Sequence, residues 1–406
     1  MYTLNFKIVY RTNIVPAAQS LQVWKGMIIN MRIITSFLLI GFVYYIQHYL
    51  YEKYWDYKLK ITLSFEDSFV TEGQKSYLIE CVENNKFLPI PLLRVKFSAS
   101  KYFLFGKENN ATVTDQYYRH NVYSIIPYQK ITRKYPFLCS KRGCYSINRI
   151  DLVSRDLFLS GILADQIPCD SMIHVLPGTV SPLHYPKNLI SALQSIIHQA
   201  ALTEDPFELK SIRDYEPYDN IRHINWKQTA RTGHLKVNTH FPTTCQNVSI
   251  YLNLDPNIVL HQEDLLEESI RIAYSLASML NEANVPVRLL CNGKDIFTNQ
   301  TIKMEAGSGR HYLTQLGISL ARIDLKKTVD NFTSTLEQFL VQDQISHQLI
   351  LISNYRKPDL LEAYQKLMDF GYSCFYIIPI LKSMEELETS IPNSMIWEVD
   401  YLETTL

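Results

Sequence analysis

The spacing of hydrophobic residues divides the chain into three parts. An apolar run without any charged residue fills positions 33–51. From about residue 58 to residue 177, apolar and polar residues alternate in short runs separated by turn residues, which is typical of a β-sandwich of roughly six to eight strands. Beyond residue 177, stripes at helical spacing alternate with short, wholly apolar runs, which predicts a parallel sheet covered by helices on both faces. We therefore expect an all-β sandwich followed by an open α/β domain.

The first part has the length and composition of a transmembrane helix. Its 19 residues would form a helix of about 28 Å, close to the hydrocarbon thickness of a bilayer. Tyrosines and Trp55 crowd its far end, as aromatic side chains do at a membrane–water interface. A signal peptide and a buried core helix are the alternatives, but no small-residue cleavage site follows and the run exceeds a usual signal core. We predict an uncleaved anchor at residues 33–54.

The flanks of the anchor indicate its orientation and the domain boundaries. Residues 1–32, the predicted N-terminal tail, contain four basic residues and no acid, whereas charges of both signs follow the run. The positive-inside rule then places the tail in the cytoplasm and the rest of the chain outside. Residues 55–180 are predicted to form the sandwich and residues 181–406 the α/β domain. The expected protein is a single-pass protein of the cell membrane with extracytoplasmic domains.

The overall charge and composition exclude some classes of function. Lys and Arg number 40, as do Asp and Glu, so a nucleic-acid binder that relies on bulk positive charge is excluded. The 27 Tyr and 18 Phe against 13 Gly suit packed strands and exclude a linker-dominated chain. The seven cysteines show no zinc-ligand spacing. For the closest pair, Cys139 and Cys144, a hairpin disulfide and free thiols both remain open.

Residues 207–237 concentrate charge and aromatic side chains. Between Lys210 and Lys236, six cations and three acids leave a local excess of +3 in an otherwise neutral chain, and Trp226 lies among them. Arginine guanidinium groups bind carboxylates in bidentate fashion and stack on aromatic rings. The segment is therefore either a polar clamp that locks a long loop in place, or a surface that binds a partner or an anionic ligand.

The same segment carries a family resemblance. The pattern R-x-Y-x-P-x-D-x-x-R-x-I-x-W-x-x-x-A-R, from Arg213 to Arg231, resembles the signature of the domain-of-unknown-function 58 family, the MoxR-associated membrane proteins. Residues 72–95, 141–158 and 307–323 resemble further segments of that family, so that the resemblance covers roughly residues 31–380. Within the signature, the predicted binding residues are Arg213, Tyr215, Asp219, Arg222, Trp226, Lys227 and Arg231.

The resemblance implies a fold and a class of partner rather than a reaction. The C-terminal part of the family is similar to a von Willebrand factor A-type domain, and its members are regarded as partners of MoxR-type AAA+ ATPases in protein assembly or maturation. A-type domains commonly hold a divalent metal through D-x-S-x-S. Here Asp255 is retained, but Asn257 and Val259 replace the serines. Since valine cannot ligate a metal, the site is degenerate, and we predict no metal or other cofactor.

Two functions from different classes follow. The first is a membrane-anchored, non-enzymatic interaction or assembly protein that works with a MoxR-type ATPase system through its A-like domain. The alternative is a hydrolase or transferase that acts on an anionic envelope polymer, held by Arg213, Arg222, Lys227 and Arg231. The sequence contains no nucleophile elbow, zinc-protease pair or Walker loop, which favours the first. The charge count places the domains outside the cell, whereas a cytosolic ATPase partner implies the inside.

Overall fold

The structure of the protein is a computed structural model. It describes residues 15–106, 111–113, 116–180, 185, 187–202, 204–216, 219, 221–242, 247–255, 262–334, 336, 348–354, 357–381 and 391–399.

The described part of the chain begins with a long helix that includes the predicted anchor. Helix α1 spans Val15–Tyr54, and its part from Met27 to Tyr54 is long and apolar enough to cross a membrane. The helix therefore begins within residues 1–32, the range predicted as an N-terminal tail. Good helix formers fill this stretch, and Pro16 lies in the first turn, where its missing N–H costs no hydrogen bond.

Ten strands form the β-sandwich. One sheet has four strands in the order β1-β3-β8-β5, and the other has six in the order β2-β10-β9-β4-β7-β6. Strands β2, β5 and β6 have three residues each, too few to show an alternating pattern, which explains why the sequence predicted fewer strands. The strands are β1 Leu59–Phe65, β2 Phe69–Thr71, β3 Lys75–Asn84, β4 Ile90–Ser100, β5 Phe103–Phe105, β6 Ala111–Val113, β7 Gln116–Ile125, β8 Lys130–Cys139, β9 Gly143–Arg155 and β10 Ile162–Leu176.

The alternation along these strands results from burial of one face of each sheet. Strand β3 alternates buried and less buried positions along its length. Leu78 on β3 and Phe137 on β8 meet Leu93 on β4 and Ile150 on β9 in a core between the two sheets. Each side chain of this size stabilises the fold by about 1.5–3 kcal/mol on full burial. The described thiols of the sandwich, including Cys139 and Cys144, are free, so the hairpin disulfide is absent.

A two-stranded hairpin separates the sandwich from the last sheet. After helix α2, Lys187–Leu202, strand β11, Glu204–Asp214, pairs antiparallel with β12, Lys236–Pro242. Helix α3, Trp226–Thr232, belongs to the segment of chain that connects the two strands.

The C-terminal sheet has six strands in the order β15-β14-β13-β16-β17-β18, all parallel except β15. This is the strand order of a doubly wound α/β sheet with an antiparallel edge. All five residues of β13 and of β16 are buried, because helices cover both faces and no solvent-facing side is left to carry polar residues. The elements are β13 Val248–Leu252, α4 Gln262–Glu282, β14 Val287–Lys294, β15 Thr301–Gly307, α5 Arg310–Ala321, β16 Gln348–Ile352, α6 Pro358–Asp369, β17 Ser373–Leu381 and β18 Ser394–Val399.

The sandwich contacts the α/β domain through α4 and α5. Arg142, just before β9, forms an ion pair with Glu267 of α4, and its Nη1 donates to the carbonyl oxygen of Leu320 near the end of α5 (2.9 Å). Arg271 of α4 forms two hydrogen bonds to the carboxylate of Glu72 in the sandwich (3.0 and 2.6 Å). Buried charges persist only when they are paired, and here each has its partner on the other domain.

Candidate binding surface on the signature hairpin

The signature segment folds as a hairpin with a helical insert. We name residues 204–242 the signature hairpin, from the start of β11 to the end of β12. The prediction of a long loop over residues 207–237 is wrong, because this range contains most of β11, the start of β12, a 3-10 turn at Ile221–His223 and helix α3. Both strands carry many charged and polar residues, so they show no wholly apolar run that would indicate a strand.

Arg213 and Asp219 form the internal clamp of the hairpin. The guanidinium Nη1 and Nη2 of Arg213 donate to the two carboxylate oxygens of Asp219 (2.7 and 2.5 Å). The same carboxylate accepts a hydrogen bond from the backbone N–H of Glu216 (2.8 Å). The hydrogen bonds from Arg213 and Glu216 hold the pKa of Asp219 below its ordinary value. This pair fits the clamp interpretation of the segment.

Helix α3 is held in place by caps and side-chain hydrogen bonds. The Asn225 side chain accepts a hydrogen bond from the backbone N–H of Gln228 (2.9 Å), as an N-cap does, and its Nδ2 donates to Asn238 on β12 (2.8 Å). Gly233 ends the helix with a φ of 72°, a left-handed conformation that favours glycine. Thr229 accepts a hydrogen bond from the backbone N–H of Lys236 (3.0 Å). A helix of one to two turns is marginal alone, so these bonds are what order it.

The rest of the signature faces solvent. Trp226 is 65% exposed, and no residue of α3 is buried. Lys227 and Arg231 on α3 and Arg222 just before it are also exposed. Ile221 and Leu235 add exposed apolar surface beside them. A tryptophan and two arginines, the residue types that are enriched in the hot spots of protein interfaces, therefore lie in one small module with two aliphatic side chains and a lysine.

The seven predicted residues thus separate into two groups. Arg213 and Asp219 bind each other, and the backbone N–H of Tyr215 donates to the carbonyl of Leu235 (3.0 Å), so these three shape the hairpin. The members of the second group lie on its exposed part: Arg222, Trp226, Lys227 and Arg231. In the alternative enzymatic function Arg213 would bind a substrate, but here its guanidinium group is bound to Asp219.

A second polar cluster lies at the carboxyl edge of the C-terminal sheet. Asn253, which follows β13, donates from Nδ2 to Ser353 Oγ after β16 (3.0 Å) and accepts from Nδ2 of Asn292 (2.9 Å). The Oδ1 atom of Asn292 in turn accepts a hydrogen bond from the backbone N–H of Leu254 (2.8 Å). Open α/β sheets bind ligands at this edge. Here the buried polar groups bind one another, so the cluster ties together the ends of β13 and β16 and the adjoining strand β14.

Asp255 lies beside this cluster, three residues beyond β13. Burial raises the pKa of its carboxyl group, although the backbone N–H of Phe332 lowers it. Asn257, its partner in the predicted degenerate metal site, lies outside the described residues. Among the described residues, no three His, Cys, Asp or Glu side chains form a group that could hold a metal ion.

The sequence did contain a signal for this cluster. A short polar residue directly follows the apolar run of β13 and of β16, at Asn253 and Ser353, and Asn292 follows the apolar part of β14. The carboxyl ends of adjacent parallel strands meet at one edge of a sheet, so this spacing alone predicts that the three side chains are close. The site predicted at this edge comprises Asp255, Asn257 and Val259, and it does not include these three side chains.

Comparison with known proteins does not assign the chain to a family. No family model and no curated protein matches it. Among solved structures, the cohesin module of a Clostridium perfringens family 33 glycoside hydrolase is 9% identical and has a TM-score of 0.20, with 28% of this chain and 98% of that chain covered. Domains D2 and D3 of the Corynebacterium diphtheriae major pilin SpaD are 9% identical with a TM-score of 0.20, at 26% and 49% coverage. A non-cellulosomal cohesin from Archaeoglobus fulgidus is 9% identical with a TM-score of 0.19, at 29% and 91% coverage. Similarity at these scores carries no argument about function.

Proposed function

We propose that this chain is a membrane-anchored interaction protein that binds a partner protein through the exposed part of its signature hairpin and catalyses no reaction of its own. The observation that carries the proposal is the exposure of Trp226 on a framework that hydrogen bonds hold in place beneath it. Placing a large indole ring in water gives no stability, whereas the same ring buried in a partner's pocket contributes strongly to binding.

The three exposed cations of the hairpin suggest the chemistry of the partner. Arg222, Lys227 and Arg231 lie within five residues of Trp226 in the sequence. A partner surface that complements them would be acidic, to pair with the cations, and would have an apolar pocket for the indole ring. We further propose that the partner belongs to a MoxR-type AAA+ ATPase system, as the resemblance of the 213–231 pattern to the domain-of-unknown-function 58 family implies. The doubly wound strand order with its antiparallel edge strand β15 supports an A-like domain in this proposal.

A binding experiment with the full chain tests the partner. The chain is reconstituted in lipid nanodiscs and titrated with a purified MoxR-type ATPase in the presence of nucleotide. We expect Trp226→Ala and Arg222→Ala to weaken binding by tenfold or more, about 1.4 kcal/mol each, as hot-spot truncations do. Phe370→Ala is the matched control, because Phe370 is an exposed aromatic residue of the α/β domain outside the hairpin. Unchanged binding by both hairpin variants, with an unchanged circular dichroism spectrum, would remove the hairpin from the interface.

Protease treatment of intact cells decides which partners the hairpin can reach. Digestion of the sandwich and the α/β domain would place both outside the cell, as the charge of the N-terminal flank predicts, and would make any link to a cytosolic ATPase indirect. Protection of both domains would place them in the cytoplasm and allow direct contact with the ATPase.

A further inference from the structure

Three loops lie at the same end of the sandwich, and two of them contact the C-terminal end of α1. They connect β3 to β4, β7 to β8, and β9 to β10: residues 85–89, 126–129 and 156–161. Asn84 joins the first two loops, because its Nδ2 donates to the carbonyl oxygens of Leu88 (3.0 Å) and Ile126 (3.1 Å). These loops therefore form one end of the sandwich.

The first loop is bound directly to the helix. The hydroxyl of Tyr51 donates to the carbonyl of Pro89 (2.8 Å), and Lys86 Nζ donates to the carbonyl of Trp55 (2.8 Å). Trp55 follows the last residue of α1, so Lys86 supplies a donor to a carbonyl at the negative end of the helix.

The third loop reaches further back along the helix. Nε2 of Gln47 donates to the carboxylate of Asp156 (3.1 Å), and the hydroxyl of Tyr44 donates to Ser160 Oγ (3.1 Å). The ring of Tyr44 also lies 6.1 Å from the ring of Phe158, centroid to centroid. Tyr44 precedes Tyr51 by two turns, about 10 Å along the axis, and it belongs to the uncharged run at residues 33–51. This loop is thus fixed beside the apolar part of the helix.

Each of these loops presents large apolar side chains to the outside. Phe87 is 80% exposed and Tyr128 is 71% exposed, and Ile162 at the start of β10 is 68% exposed. Further exposed apolar residues of this end are Ile126, Leu157, Phe158 and Leu159. The three loop tips, residues 85–89, 126–129 and 157–162, contain no acid. Large exposed apolar side chains gathered at one end of a domain are typical of an interaction surface.

The third loop is built so that its apolar residues point outward. The carboxylate of Asp156 accepts hydrogen bonds from the backbone N–H of Ser160 (2.6 Å) and of Gly161 (3.2 Å). Leu159 adopts a φ of 61°, a left-handed conformation that costs free energy for a residue other than glycine. The polar atoms of the loop therefore face the protein, and Leu157, Phe158 and Leu159 are left at the surface.

We propose that these three loops insert into the interface of the bilayer that α1 crosses, an inference that rests on the membrane anchorage proposed above. The lipid interface is the occupant because the apolar patch continues the apolar surface of the helix, on which Tyr45 and Tyr49 are also exposed. Docking would fix the orientation of the sandwich on the membrane. The Arg142–Glu267 ion pair would transmit that orientation to the α/β domain and hence to the signature hairpin.

Depth-dependent fluorescence quenching tests this proposal on the full chain. Phe158→Trp and Phe87→Trp are reconstituted in phosphatidylcholine–phosphatidylglycerol vesicles with and without lipids brominated near the headgroup, and the spectrum of the parent protein is subtracted. We expect the added tryptophan to emit at shorter wavelength and to lose intensity with brominated lipid. Phe370→Trp is the control, and its added emission should be unchanged by bromine.

Three outcomes would overturn the proposal, and they are distinguishable. If the chain resists alkaline extraction from the vesicles but the two loop tryptophans are quenched no more than the tryptophan added in the Phe370→Trp control, the anchor holds and the loops lie in water. If cross-linking of the loops instead rises with the ratio of protein to lipid, a second copy covers them. If alkaline treatment extracts the chain, both the membrane anchorage and the docking inference fail.

Discussion

Arg142 of the sandwich and Glu267 of α4 form a buried ion pair in which Nε lies 2.5 Å from Oε2. Arg142 belongs to the R-G-x-Y segment at residues 142–145, which resembles a family segment but had no assigned role in the sequence analysis. The structure provides the role, because this arginine connects the two domains, and its Nη1 also bonds the carbonyl of Ile323 (3.3 Å) beyond α5. The relative position of the two domains therefore depends on a few named contacts.

Removing Arg142 should destabilise the protein strongly. Arg142→Ala leaves the buried Glu267 carboxylate with only Lys141, whose Nζ lies 3.4 Å away, and we expect a loss of about 3 kcal/mol in the free energy of unfolding. The paired change Arg142→Met with Glu267→Met should cost less, because it leaves no uncompensated charge. Urea unfolding of the full chain in detergent measures both. Lys366→Ala, which breaks an exposed ion pair with Glu362 within α6, should change stability little. Equal losses from Arg142→Ala and the double variant would contradict the prediction.

Gly143 should not tolerate a side chain. A Cβ at this position would lie 2.9 Å from Cζ of the Tyr145 ring, and the φ of 155° is one that other residues rarely adopt. Tyr145 cannot move easily, because its hydroxyl donates to the carbonyls of Lys141 (3.0 Å) and Arg142 (3.1 Å). We expect Gly143→Ala to cost about 1–3 kcal/mol, measured by the same unfolding curves. Gly106→Ala is the control, since no other described residue apart from its chain neighbours lies within 4 Å of the added Cβ. A loss as large as that of Gly143→Ala would argue against a local cause.

The clamp of the signature hairpin should depend on pH through Asp219. Hydrogen bonds from Arg213 and Glu216 lower its pKa in the folded state, so the clamp contributes fully above the ordinary aspartate range and is lost as the pH falls through the lowered pKa. We expect Asp219→Asn to increase hydrogen exchange of the hairpin amides at neutral pH. The difference from the parent protein should shrink in the acid range, where the parent carboxyl becomes protonated. A difference that is independent of pH would show that the carboxylate charge does not hold the hairpin.

The sequence predicts those elements of the fold whose pattern of apolar and polar residues lies within a few consecutive positions. Alternating burial made the sandwich predictable, and wholly apolar runs such as β13 and β16 made the parallel sheet predictable. Strand pairing in the signature hairpin was missed, because an exposed two-stranded sheet needs no alternation of apolar and polar residues. The Arg142–Glu267 pair joins segments that are far apart in the chain, and no local pattern records such a contact.

The candidate site shows the same division. The sequence indicates the exposed residues Arg222, Trp226 and Arg231 as candidates, because they belong to one continuous pattern of residue types. Which member serves as clamp and which as surface could not be predicted, since it depends on the turn that brings Asp219 back to Arg213. The position of Asn253 and Asn292 at the ends of apolar runs indicates that they lie at one edge of the sheet, but the hydrogen bond between them also requires that β13 and β14 be neighbours, which no local pattern records.

The buried thiols should be unreactive in the folded protein. Burial raises the pKa of Cys139, Cys291 and Cys374 to about 12, so almost no thiolate is present at neutral pH. We expect a maleimide reagent to leave these three cysteines unmodified in the native full chain and to modify them once urea unfolds it. Peptide mapping by mass spectrometry identifies the labelled positions. Rapid labelling of Cys139 in the native state would contradict the packing of the sandwich core.

Divalent cations should leave the stability of the protein unchanged. Among the described residues at the carboxyl edge of the C-terminal sheet, Asp255 supplies a carboxylate. The side-chain amides of its neighbours Asn253 and Asn292 are hydrogen-bonded to each other. Hard cations such as Mg²⁺ require several oxygen ligands, and burial here already raises the pKa of Asp255 and so disfavours the charged form that would bind them. We expect millimolar Mg²⁺, Ca²⁺ or Mn²⁺ to produce no shift of Tm in the parent protein or in Asp255→Asn. A cation that raises the Tm of the parent protein but not of the variant would show that Asp255 ligates metal despite the replaced serines.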